Sequence, residues 1–159
     1  MSTALVFEEE MFAMPTYAHG AVIINLGLAL ERHDPDHTLG RPFGPQTTYP
    51  MVGAPSTREP DLTWVRAARI PTDLNVDPDA PPDLAVEVIS RTDTHTGTDG
   101  RVTQYLASGV RLVWVIDPWM RTVTVYEPDG AIQTITTHGT LTGGPVIPAF
   151  AVPVAQLFD

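Results

Sequence analysis

The chain contains no cysteine and no lysine. The first absence excludes disulfides, thiolate metal sites and cysteine nucleophiles. The second leaves arginine as the only permanently charged base, with nine copies against nineteen Asp and Glu. The formal net charge of −10 repels nucleic acid at long range. That argues against a sequence-reading DNA-binding module. It argues less against an enzyme whose carboxylates hold metal ions, because such a site is acidic by construction. Long apolar runs are also missing. Residues 22–30 are too few to span a bilayer. The start of the chain, 1–10, is acidic and unlike a signal peptide. A cytoplasmic protein with no membrane contact is expected. There is no internal repeat, no glycine-rich phosphate loop, no Gly-x-Ser-x-Gly elbow and no His-Glu-x-x-His pair.

What is present suits one α/β domain over residues 1–159, long enough to bury its own core. Residues 10–14 read as a short strand or extended segment. Thr16 caps a helix from Ala18 to Glu31, where Val22, Ile23, Leu26, Ala29 and Leu30 form one apolar face. Ile24 and Leu28 widen that face and predict burial on most sides. Residues 33–44 read as a polar loop, 43–52 as holding a short strand, and 60–66 as a strand with Leu62 and Trp64 on one face and Asp61, Thr63 and Val65 on the other.

The chain is organised around residues 84–90, five of whose seven members are aliphatic. This suits a strand buried on both faces. A helix capped by Thr98 or Asp99 and running to about Ser108 follows, then an apolar strand at 112–116. The turn Pro128-Asp129-Gly130 links strands at 122–126 and 131–137. His19, near the start of the first helix, reads as a packing or capping residue before a site residue.

Two carboxylates stand out. Glu87 lies inside the central strand, where a charge is costly unless it meets a cation, a donor or a metal. Asp61 follows a proline at the entrance of the preceding strand. If the two strands pair, both side chains converge on one hard divalent cation. Glu10 is a candidate third carboxylate, and Arg101 can fold back beside Glu87. The same residues also fit a purely structural role, with Glu87 paired to Arg101 or Arg111. Asp83, also after proline, reads as an exposed turn residue.

The ordered segments "PDLAVEVIS", "GRVTQYLASGV", "VWVIDP" and "VTVYEPDG" resemble the Uma-two family of restriction endonucleases, in the PD-(D/E)XK nuclease superfamily. The opening "EMFAMPTYAHGAVIINLGLAL" and closing "TLTGGPVIPAFAVPVAQLF" are similar to that family's ends, so the resemblance spans most of the chain. It implies a restriction-endonuclease-like mixed sheet flanked by helices, and a metal-dependent endonuclease that hydrolyses DNA phosphodiester bonds. It also implies that Asp61 and Glu87 hold Mg²⁺ or Mn²⁺, with the Val88 carbonyl, and that Glu10 is an upstream glutamate near the site. Arg101 takes the position of the family's helix lysine, and Gly100 replaces the glutamate before it. Arginine stays protonated, so it is a poor general base, but it can stabilise charge on a phosphate.

Three functions follow as alternatives. One is an active nuclease. The second is a catalytically degenerate relative that binds metal, nucleic acid or protein, motivated by the missing lysine. The third, compatible with either, is a homodimer joined through the 128–130 hairpin or through the apolar tail of Val152, Val154, Leu157 and Phe158.

Overall fold

A computed structural model describes residues 15–159. Its main sheet has the strand order β1-β4-β5-β6-β7-β8. These strands are β1 (Gly40–Phe43), β4 (Leu62–Arg66), β5 (Leu84–Val88), β6 (Leu112–Asp117), β7 (Thr122–Tyr126) and β8 (Ile132–Ile135). Two-residue strands β2 (Tyr49–Pro50) and β3 (Thr57–Arg58) pair with each other, as do β9 (Thr140–Thr142) and β10 (Ala151–Pro153). The sheet is mixed. β5 and β6 are parallel, while the other four pairs are antiparallel. A parallel pair needs a crossover. It is supplied by helix α2 (His95–Ala107), completing the strand–helix–strand unit expected from the sequence.

Alternation along the strands divides the core. Leu84, Val86 and Val88 of β5 join Leu62, Trp64, Trp114 and Ile116 beneath helix α1 (Tyr17–His33). Ala85 joins Val65, Val113 and Val115 on the opposite face, where Val102 and Tyr105 of α2 cover them. Glu87 belongs by register to this second face, so one carboxylate enters an otherwise apolar layer.

Several expectations need correction. Helix α1 buries only the stripe His19, Val22, Leu26 and Leu30, and Ile24 and Leu28 stay exposed. Helix α2 begins four or five residues earlier than expected, because the Thr94 hydroxyl accepts from the Gly97 backbone N–H and acts as its cap. Asp83 is buried rather than exposed. Its carboxylate accepts the Arg66 backbone N–H at 2.9 Å and lies 3.0 Å from the Arg69 guanidinium. Val152, Val154 and Leu157 of the tail are core residues. A docking surface built on them is therefore ruled out.

Candidate active site

The site forms where β4 begins and β5 ends. Antiparallel pairing of Leu62 with Val86 brings Asp61, one residue outside β4, level with the last residues of β5. Asp61 Oδ2 accepts the Val88 backbone N–H at 2.8 Å. From the other side of the sheet, the first turn of α1 delivers His19, whose Nε2 is 3.4 Å from the same oxygen. His19 is only 8 % exposed. Contact with Asp61 raises its pKa against the opposing effect of burial.

Glu87 is also 8 % exposed. Its Oε1 accepts the Tyr105 hydroxyl of α2. Its Oε2 lies 3.7 Å from Arg101 Nε, beyond hydrogen-bond reach. Burial is the main force pushing the Glu87 pKa up to about 7, and the neighbouring Asp61 charge adds to it. The Tyr105 hydrogen bond and the Arg101 charge oppose both. Burial and the Glu87 charge push the Tyr105 hydroxyl far up, so it stays a donor.

Arg101 does not point solely at Glu87. Its terminal nitrogen donates to Asp93 Oδ1 at 2.8 Å, while its Nε is buried without a hydrogen-bond partner. Burial works against its charge, but Glu87 and Asp93 outweigh that and raise its pKa. Asp93 Oδ2 accepts the Ser90 N–H at 2.7 Å and the Ser90 hydroxyl at 3.0 Å. Burial alone would raise the Asp93 pKa, but these donors and Arg101 bring it below the usual carboxylate range. The loop after β5 is thus tied to α2 through one charged pair.

Do these residues fit a divalent cation? Asp61 Oδ1 and Glu87 Oε2 accept no hydrogen bond among the described residues. They are hard oxygen donors in a place where excess negative charge already disturbs Glu87. Both features suit Mg²⁺ or Mn²⁺. Among the described residues, no three His, Asp or Glu side chains form a metal-holding group. Asp61 and Glu87 by themselves would leave such an ion room for several waters, which Mg²⁺ commonly keeps. Glu10 lies outside the described residues.

Asp61, Glu87, Val88 and Arg101 thus fall together. His19, Tyr105 and Asp93 are the residues that reading the sequence underrated. His19 carried a weak signal, a lone imidazole in the first turn of an apolar helix. Tyr105 sits among apolar helix residues and Asp93 in a polar stretch, and neither pattern by itself marks a site.

A family model named Uma2, described as "Putative restriction endonuclease", matches residues 3–155. A crystal structure of a putative nuclease belonging to DUF820 from Anabaena variabilis shares the fold with a TM-score of 0.79 at 20% sequence identity. The match covers 91% of this chain and 82% of that one. No curated protein matches. Among the described residues, no helix is long and apolar enough to cross a membrane.

Proposed function

The chain belongs to the Uma2 family of putative restriction endonucleases, and from that premise we propose that it hydrolyses phosphodiester bonds of DNA with the help of Mg²⁺ or Mn²⁺. The observation that carries the reading is the juxtaposition of Asp61 with Glu87, a glutamate held in an apolar layer with its pKa pushed to about 7. A buried carboxylate left so poorly compensated costs stability, and a cation shared with Asp61 offsets that cost. Divalent ions at such sites polarise the phosphate and lower the pKa of bound water.

Each protein group then has a task. Asp61 and Glu87 would hold the cation, with the Val88 carbonyl beside them. His19 and the Val88 N–H orient Asp61 through Oδ2. Tyr105 orients Glu87 in the same way. Arg101 is a permanent cation that offsets charge on the scissile phosphate, and Asp93 sets its direction. Arginine cannot accept the proton of the attacking water. That proton leaves to solvent or to a phosphate oxygen.

The test is cleavage of supercoiled plasmid in Mn²⁺ by wild type and Glu87→Gln. Wild-type nicking that the substitution abolishes, with an unchanged melting profile in metal-free buffer at pH 5, supports the reading. Equal nicking by both proteins refutes it. A second reading, a relative that binds without cutting, is favoured by one observation: Arg101 is already engaged by Asp93. It predicts Mn²⁺ binding without cleavage.

A further inference from the structure

The two edges of the main sheet are treated differently. An exposed edge strand offers unpaired N–H and C=O groups to any other strand, and proteins usually block it with charge, proline or a cover. β1 carries both devices, in Arg41 and Pro42. β8 carries neither. From Ala131 to Thr137 the chain reads Ala-Ile-Gln-Thr-Ile-Thr-Thr, with no charge, no proline and no glycine. Its isoleucines and threonines favour strands.

Among the described residues, nothing pairs with the outer side of β8. All of β8 is exposed except Ile135, which is half-buried, and Ile132 is 64% exposed. The turn between β6 and β7 adds Trp119 at 51% and Met120 at 72% exposure. That turn lies just beyond the Val123–Ile135 pair, so it borders the far end of β8. It is also held firmly: Asp117 Oδ1 accepts the backbone N–H groups of Trp119 and Met120 at 2.9 and 3.0 Å. Aromatic residues and methionine are enriched in protein interfaces, while charged residues are depleted at their centres.

We propose that the outer edge of β8 is the seam of a homodimer, in which β8 of one copy pairs antiparallel with β8 of a second. A second copy is the occupant that the charge pattern favours. Each molecule carries a net charge of −10, so two copies repel over most of their surfaces. They can approach most readily where both are neutral, and the 131–137 segment is such a place. Antiparallel pairing of identical edges also satisfies a two-fold axis, the commonest symmetry of soluble oligomers. The axis runs perpendicular to the sheet, so the α2 layers of both copies fall on the same side. With strands about 4.8 Å apart, the two β5 strands would lie roughly 34 Å from each other in a flat sheet, and closer in a twisted one. If the nuclease reading holds, both carboxylate sites then serve one face of the dimer. The seam itself does not depend on that reading.

Sedimentation velocity on the full chain, with Gln133→Lys and Ile132→Lys alongside, tests the seam without any substrate. The wild type is expected to be a dimer, and each substitution is expected to weaken the dimer by about tenfold or more by placing like charges near the axis. Thermal melting checks that the variants fold. Hydrogen exchange on the wild type needs no variant: the β8 amides that do not bond to β7 should gain protection as concentration rises. A wild-type monomer, including one whose edge is covered by its own residues 1–14, would overturn the proposal. So would a dimer indifferent to both substitutions, or β8 amides whose exchange ignores concentration.

Discussion

Glu87 carries the largest consequence of any single residue. Its folded pKa, about 7, lies above the ordinary value of 4.5. A raised carboxyl pKa means that the folded state holds its proton more tightly than the unfolded state does. The associated stability is therefore present below about pH 4.5 and is lost as pH rises towards 7. In metal-free buffer, Glu87→Gln should raise the melting temperature at pH 8 and lose that advantage by pH 5. An advantage of equal size at both values would contradict the account. At Asp93, Asn keeps an oxygen for the Ser90 N–H but gives up the charge facing Arg101. Asp93→Asn should cost about 1–2 kcal/mol of stability and should lower cleavage by more than the melting curve explains. At this scale the sequence was partly legible. A charge inside an apolar run is visible without coordinates, whereas the Tyr105 hydroxyl cannot be told from core until α2 is laid across β5.

Elements were legible where one periodicity dominated. β5, β6 and β7 are continuous or alternating apolar runs, and their positions followed from that. The start of α2 did not, because residues 91–99 contain six threonine or aspartate side chains able to cap a helix. Geometry selects Thr94, the one that reaches a free N–H. Thr94→Ala should therefore cost about 1 kcal/mol, while Thr98→Ala should leave no frayed first turn in hydrogen exchange. The excess breadth expected for the α1 interface has a similar origin. Ile24 and Leu28 are apolar, but they sit on the side turned away from the Val22, Leu26 and Leu30 stripe. Hydrophobicity alone does not say whether a second layer exists to cover them. The tail was misjudged for the opposite reason. A short apolar run at a chain end can cover a neighbour or its own core, and here it packs against α1 and the sheet.

At the scale of the whole molecule, order of motifs carried more information than composition. A charge of −10 and no lysine are unpromising for a protein that handles DNA, yet the ordered segments lead to a family of restriction endonucleases. The fold gathers Asp61, Glu87 and Asp93 at the junction of β4, β5 and α2, where under the proposed function a bound cation would turn repulsion of phosphate into attraction. The measurement that tests this most directly is calorimetric titration with Mn²⁺ at pH 8 of the wild type, Asp61→Asn and Glu87→Gln. The account predicts binding by the wild type and its loss in both variants. Binding that survives in either variant, or none in the wild type, would contradict it.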